Sequence, residues 1–209
     1  DIDLSTLLVS AANEANAAIL NQLISQGREA PANASTDLVG ELQAFIFDRL
    51  RAYYVDRGVP VQQFEAVAAV APASLVDFGR RLTAIAEFAA LPEAEALAAA
   101  NKRIRNILRK AEDEIPAKVS RARLQDEAEI ALAESVEAAV RETDAALGSG
   151  DYVAVLKRLA WVRQPVDRFF DEVMVMAEDP ALRENRLALL KRLADRFAAV
   201  AAVEQLSVG

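Results

Sequence analysis

The residues best suited to chemistry form a basic run inside an otherwise acidic chain. The run is Asn101-Lys-Arg-Ile-Arg-Asn-Ile-Leu-Arg-Lys110, and no acid interrupts it. At about 100° per residue, a helix here would carry its apolar side chains on one side and its polar ones on the other. Uncancelled positive charges reinforce one another locally, which suits a phosphate backbone. The polar face would comprise Lys102, Arg103, Arg105, Asn106, Arg109 and Lys110.

An ordinary solvated helix face is the alternative reading of this run. In that case Glu93, Glu95 or the acids that follow Lys110 would neutralise part of its charge. Periodicity alone favours this alternative over a binding role.

A second cluster alternates aromatic rings with guanidinium groups near the end of another predicted helix. It comprises Arg49, Arg51, Tyr53, Tyr54 and Arg57. Such rings and planar cations commonly hold unstacked RNA bases. The alternative is that Phe47 and Tyr53 are simply core residues of an amphipathic helix, and the pattern favours that alternative.

A third region contains Trp161, Arg163 and the run Asp167-Arg-Phe-Phe-Asp171. Its aromatics suit base stacking, and Asp167 and Asp171 lie one helical turn apart, where two carboxylates can share a metal ion. We favour buried packing for Phe169 and Phe170. For the two acids we favour ion pairs with Arg163 or Arg168, because no further oxygen ligands are nearby.

Composition excludes several classes of function. The chain has no cysteine and no histidine, so it lacks thiolate nucleophiles, Ser-His dyads and the usual nitrogen ligands of metals. Neither of the common glycine-rich phosphate loops occurs. Charged residues interrupt every apolar run, so we expect a soluble protein with no membrane partner, and the absence of cysteine fits the cytoplasm. The net charge of -8 argues against wholesale binding of polyanions, so any such site must be local.

The elements that would position these residues are all helices. Alanine-rich apolar stripes recur at helical spacing, and only 7 glycines and 7 prolines punctuate 209 residues. We expect helices over 5–26, 36–57, 61–70, 75–90, 93–112 and 125–147, then a helix from 152 that Pro165 kinks or divides, and a last helix from Pro180 to Gln205. A short helical piece is expected within 113–123.

The segment 28–35 is small and polar and contains Pro31, so we expect a linker there. Residues 1–35 would be the tail of a preceding helical segment, and residues 36–209 would form the main domain. Because the chain starts within a helical pattern and lacks an initiator Met, we expect a piece of a longer protein.

Four stretches together carry a family resemblance. They are Phe47-Asp-Arg-Leu-Arg-Ala-Tyr-Tyr54, Ala98-Ala-Ala-Asn-Lys-Arg-Ile-Arg-Asn-Ile-Leu108, Pro165-Val-Asp-Arg-Phe-Phe-Asp-Glu-Val-Met-Val-Met176 and Ala181-Leu-Arg-Glu-Asn-Arg-Leu-Ala-Leu-Leu190. In order and spacing they resemble the C-terminal anticodon-binding region of the bacterial glycyl-tRNA synthetase β subunit, over residues 38–206. The Asp-Ala-Leu-Arg signature of arginyl-type synthetases is similar to residues 179–183, with Pro180 inserted.

The resemblance implies an all-α helical bundle of the anticodon-binding type, with an extra N-terminal helix. It also implies that the chain binds the anticodon arm of tRNA(Gly) and contains no catalytic residues or cofactor. The full enzyme would join glycine to its tRNA with ATP and Mg²⁺, and a separate α subunit would hold the adenylation site. An arginyl-type parent is disfavoured, because its features cover only the last helices.

With tRNA as the implied partner, the basic run becomes the preferred phosphate-binding surface. Its cations would contact phosphates, and Asn101 or Asn106 would be available for base edges. Arg49, Tyr54 and Arg57 remain further candidates, and Arg183 and Arg186 are secondary ones on the last helix. A helical scaffold or subunit-contact module, whose charged faces meet protein and not RNA, is the alternative function.

Overall fold

A computed structural model describes residues 6–11, 13, 14, 18, 34–72, 74–111 and 114–207. These residues form helices and connecting turns without a β-strand, so the all-α prediction is confirmed. Residues 6–11, 13, 14 and 18 are helical, in agreement with the predicted N-terminal helix, whose remainder lies outside the described residues. Most of the predicted linker also lies outside them, and the domain division at residue 35 stays a prediction. Within the described helices, none combines the length and apolar character that crossing a bilayer requires.

Eight α-helices have defined bounds in the described part of the chain. They are α1 (Ala34–Val55), α2 (Val61–Ala68), α3 (Leu75–Ala89), α4 (Ala94–Lys110), α5 (Glu127–Ser149), α6 (Tyr152–Ala160), α7 (Arg163–Glu172) and α8 (Pro180–Ala198). Two short 3₁₀ helices accompany them, at Arg121–Arg123 and Val203–Leu206.

Side-chain caps explain where several helices begin. The Ser74 hydroxyl accepts a hydrogen bond from the Asp77 amide at 3.0 Å, just before the start of α3. Asp151 caps α6 by accepting from the Ala154 amide at 3.1 Å, and Asp179 caps α8 by accepting from the Ala181 amide at 2.9 Å. Gly150 ends α5 with a φ of 75°, a conformation that glycine adopts without strain.

Two boundaries differ in detail from the predictions. The chain divides at Trp161–Val162, so Pro165 lies in the first turn of α7, where a missing amide hydrogen costs nothing. The last helix ends at Ala198 and not at Gln205, which corrects the prediction. Beyond that point the Arg81 guanidinium takes up the carbonyls of Ala199 and Val200, both at 2.8 Å, in place of helical hydrogen bonds.

The core forms where the helices pack through small side chains. α3 packs on α2 and α6, α5 packs on α6 and α7, and α4 packs on α8 and on the Val203–Leu206 3₁₀ helix. Fully buried alanines let the helix backbones approach closely. They include Ala66, Ala84, Ala98, Ala128, Ala139 and Ala194. Five buried phenylalanines supply large aromatic side chains to the core, namely Phe64, Phe78, Phe88, Phe169 and Phe197.

A polar cluster joins α3 to α6 beside this core. The Tyr152 hydroxyl donates to one Asp77 oxygen at 2.6 Å, and Arg81 Nε donates to the other at 2.7 Å. Burial raises the Asp77 pKa, but these hydrogen bonds and the Arg81 charge outweigh it, so the pKa lies below its ordinary value. Burial and the Asp77 hydrogen bond raise the pKa of Tyr152. Asp77 is therefore ionised and Tyr152 neutral around neutral pH.

Candidate nucleic-acid interface

The basic run forms the last three turns of α4, with its apolar side held inside the fold. Leu97 and Ile104 are each 1% exposed, and they face the core. The opposite side carries the exposed residues Lys102, Arg103, Asn106, Arg109 and Lys110. The two-sided helix that the sequence predicted is therefore present.

Four cations on this exposed side form no ion pair with an acid among the described residues. In the part of the chain that the structure describes, no carboxylate lies within 4.0 Å of the charged groups of Lys102, Arg103, Arg109 or Lys110. Glu93 and Glu95, which the alternative reading paired with this run, make no such contact there, whereas Glu112 and Asp113, the first acids after Lys110, lie outside the described residues. We refer to these four residues and Asn106 as the cationic face.

Two members of the predicted set serve the fold instead. Arg105 Nε lies 3.6 Å from a Glu204 carboxylate oxygen, so the two opposite charges form an ion pair. Asn101 is 1% exposed, and its side-chain amide donates to Glu204 at 2.7 Å. Both residues fasten α4 to the Val203–Leu206 3₁₀ helix. Asn101 cannot reach a base edge, which corrects that prediction, whereas Asn106 is exposed and accepts from Arg109 at 2.9 Å.

Arg103 has an aromatic partner that the sequence did not predict. Its guanidinium carbon lies 4.1 Å from the centroid of the half-buried Phe170 ring, which belongs to α7. The neighbouring Phe169 is fully buried and supports Phe170 edge-to-face at 5.7 Å between centroids. The cationic face is thus anchored to α7 at this point.

Two shallow grooves meet at Arg103 and Ile107. The first has a volume of about 340 Å³ and follows the cationic face past Lys102, Asn106 and Lys110. The second has a volume of about 440 Å³ and runs from Phe170 to Met176. Their linings differ in chemistry, since the first is basic and the second is apolar with two acids.

The secondary candidates on α8 have structural roles. Arg186 is 4% exposed, and its guanidinium donates to Asp126 at 2.6 Å, to Glu129 at 3.3 Å and to the Met174 carbonyl at 2.7 Å. It cannot meet a phosphate, which corrects the prediction. Arg183 donates to the carbonyls of Ala177 and Glu178 at 2.9 and 3.4 Å. The stretch similar to the Asp-Ala-Leu-Arg signature therefore braces the start of α8.

The aromatic and arginine cluster of α1 is partly structural and partly exposed. Tyr54 packs against Phe78 at 5.9 Å and Phe64 at 6.3 Å between centroids, so it belongs to the core margin. The Arg57 guanidinium covers the half-exposed Tyr53 ring at 3.5 Å. Arg51 is paired with Glu65 at 2.9 Å.

Arg49, the remaining arginine of this cluster, lies 5.2 Å from the exposed Phe45 ring. α1 packs on α2, which packs in turn on the Val203–Leu206 3₁₀ helix beneath α4. The α1 cluster therefore lies on a helix that packs on α2, whereas the cationic face lies on α4, which packs on α8 and on the Val203–Leu206 3₁₀ helix.

The sequence analysis did not predict the solvent exposure of three large apolar residues. Trp161 is 73% exposed, and Met174 and Met176 are 73% and 52% exposed. A signal for the methionines was present, because Val and Met alternate at residues 173–176, and only the two valines are buried. Asp167 pairs with Arg163 at 3.5 Å, which confirms the ion-pair reading of that acid.

Known proteins resemble this chain over most of its length. A family model described as the DALR anticodon binding domain matches residues 97–203. The glycine--tRNA ligase beta subunit of Xanthomonas campestris pv. campestris is 60% identical over 84% of this chain and 25% of the relative. The same subunit of Xylella fastidiosa is 55% identical over 81% of this chain and 23% of the relative.

A third relative, the glycine--tRNA ligase beta subunit of Pseudomonas aeruginosa, is 48% identical over 81% of this chain and 25% of its own length. The chain thus spans about a quarter of the length of these curated relatives. The matched family region contains the whole cationic face and both grooves. The chain belongs to the DALR anticodon-binding domain family.

Proposed function

We propose that this chain binds the anticodon arm of tRNA(Gly) through the cationic face of α4. The observation that carries the proposal is a row of four cations without acidic partners among the described residues, on a helix whose other side is locked into the core. Phosphate contacts from these cations would fix the position of the arm, and exposed polar or planar groups beside them would read its bases. An ordered helix presents the charges without a large loss of backbone entropy on binding.

In the longer protein, this binding would support a reaction performed elsewhere. The relatives are named as beta subunits of glycine--tRNA ligase. We infer that glycylation takes place in the cytoplasm, that the rest of the enzyme uses ATP and Mg²⁺, and that the α subunit meets this chain's protein through the full-length β subunit. Among the described residues no cluster of acids suits a metal ion.

Charge reversal on the cationic face tests RNA binding directly. In the Lys102→Glu/Lys110→Glu variant we expect the affinity for a fluorescent tRNA(Gly) transcript to fall about tenfold or more, because two phosphate contacts become repulsive. The Lys118→Glu/Arg192→Glu variant has the same net charge, and both of its positions are exposed and lie outside α4. We expect it to bind within about twofold of the unmodified chain.

The scaffold alternative predicts the opposite result. A module that only contacts protein would show weak tRNA binding that the two variants reduce equally, in proportion to their shared net charge. Base reading is tested separately with tRNA(Gly) transcripts carrying anticodon substitutions. If these bind as tightly as the unmodified transcript, the chain grips the arm without reading it.

A further inference from the structure

We propose that the groove between Arg103 and Met176 holds one unstacked base of the bound RNA, and that this base carries an exocyclic amino group. The inference rests on the proposed function and extends it from phosphate contacts to a base-binding subsite. The groove is lined by Arg103, Phe170, Asp171, Met174 and Met176 among others. None of these residues except Arg103 belongs to the cationic face.

The first step of the argument is the stack of Phe170 and Arg103. The ring covers one side of the guanidinium at 4.1 Å, and Arg103 is otherwise exposed. Proteins that bind single-stranded RNA stack unpaired bases on aromatic rings and on guanidinium planes. Phe170 therefore contacts the guanidinium on the α7 side, and the solvent-exposed part of Arg103 is open to a base.

The second step concerns the methionines on the other wall. Val173 and Val175 are each 7% exposed, so their burial turns Met174 and Met176 outward. The buried Arg186 holds the same segment from inside through the Met174 carbonyl at 2.7 Å. The fold thus presents two flexible, polarizable thioethers on a fixed backbone, which suits contact with the face or edge of an aromatic ring.

The third step is the opposite chemistry of the two grooves. The groove along Lys102, Asn106 and Lys110 is basic, whereas Asp171 and Glu172 line the groove beside the methionines. A phosphate is attracted to the first and repelled from the second, so a nucleotide that spans Arg103 lies with its backbone in the first and its base in the second. Charge complementarity therefore orients the ligand as well as attracting it.

Asp171 gives the subsite a preference among bases. Glu172 is already bonded to Arg168 at 2.8 Å, whereas Asp171 is exposed and has no ion pair among the described residues. An ionised carboxylate only accepts hydrogen bonds, so it favours the amino group of cytosine, adenine or guanine over uracil, whose N3–H donor lies between two carbonyl oxygens. We expect the base in this groove to be an amino-bearing one.

Substituting Arg103 by Lys separates stacking from charge. Arg103→Lys keeps a positive charge for the phosphate but removes the planar guanidinium group. We therefore expect the affinity for the tRNA(Gly) transcript to fall about fivefold or more, while the salt dependence of binding stays unchanged. Arg109→Lys makes the same exchange on the same helix face without a ring behind it. It measures the general cost of losing a guanidinium and is expected to lose less.

The methionine wall and the base preference are tested in parallel. We expect Met174→Ala/Met176→Ala to weaken binding, whereas Val76→Ala, at an apolar residue on α3 about as exposed as Met176, leaves it unchanged. Two RNA hairpins with the same stem carry an all-cytosine or an all-uracil loop. We expect the unmodified chain to bind the cytosine hairpin more tightly, and we expect Asp171→Asn to reduce the difference between the two affinities. Thermal melts establish that each variant is folded.

The outcomes distinguish this inference from the proposed function. If Arg103→Lys loses no more than Arg109→Lys and the methionine variant binds normally, while Lys102→Glu/Lys110→Glu still abolishes binding, the surface grips phosphates only and the base subsite is refuted. Equal binding of the two hairpin loops refutes the amino-base preference. If the unmodified chain does not bind the tRNA(Gly) transcript at all, the proposed function itself fails.

Discussion

Individual arginines in this chain divide into those that serve the fold and those that face solvent, and their burial decides which. Arg186 and Glu129 form an ion pair at 3.3 Å, with side chains 5% and 0% exposed. A buried pair of this kind need not be a large net source of stability, but an unpaired buried charge is costly. Removing one partner is therefore expected to destabilise the fold by more than the intact pair stabilises it.

We expect Arg186→Met to lower the free energy of unfolding by about 3–5 kcal/mol, because Glu129 is left buried without its counter-charge. Urea unfolding followed by circular dichroism measures the loss. Adding Glu129→Gln removes the stranded charge while an amide oxygen still accepts from the Gln125 backbone, so the double variant should recover part of the stability. A double variant as unstable as the single one would contradict the burial argument.

Sequence periodicity located the cationic face but not the roles of its members. Charge and spacing identify which residues share a side of α4, and Lys102, Arg103, Arg109 and Lys110 are exposed as predicted. Asn101 and Arg105 lie on the margin of that side, where a tertiary partner decides exposure. Glu204, about a hundred residues away in sequence, supplies that partner, and no local pattern reveals it.

At the scale of elements, helix starts were predictable and helix ends were less so. Starts depend on local caps such as Ser74 and Asp179, whose partners lie two or three residues away. The end of α8 depends on Arg81 of α3 and on the Ala66 carbonyl, which accepts from the Ala202 amide at 2.8 Å. Such distant partners override a helical pattern that continues in the sequence.

The Val203–Leu206 3₁₀ helix carries the acid that pairs with Arg105, next to the cationic face of α4. Glu204 binds Asn101 and also compensates the charge of Arg105, which is only partly exposed. We expect Glu204→Gln to keep an acceptor for Asn101 while releasing the Arg105 charge. The affinity for the tRNA(Gly) transcript should then rise about two- to fivefold at low salt, because one more cation acts on the phosphates.

A matched control for that variant is Glu137→Gln, which releases Arg121 from its ion pair on a different part of the surface. It changes the net charge equally but adds no cation to α4. Equal gains in both variants would show that only the overall charge matters, and that the position of Arg105 does not.

At the scale of the whole molecule, a net charge of -8 opposes the attraction of RNA to the cationic face. The opposing charges are distributed over the surface and are screened beyond about 8–10 Å at physiological salt, whereas direct contacts with phosphates are screened less. Binding is therefore expected to depend on a few short-range contacts. The acidic remainder of the surface would discourage other RNA from binding elsewhere.

This balance makes the salt dependence of binding a measure of how many cations act. Four cations that each release a counterion predict a slope of about -3 to -4 for the logarithm of the binding constant against the logarithm of the salt concentration. Fluorescence anisotropy with the tRNA(Gly) transcript over a series of salt concentrations gives that slope. Because Lys102→Glu/Lys110→Glu removes two contacts, it should roughly halve the slope, and the equally charged Lys118→Glu/Arg192→Glu should not. A slope near zero, or one that both variants change alike, would mean that the cations of α4 do not bind the phosphates.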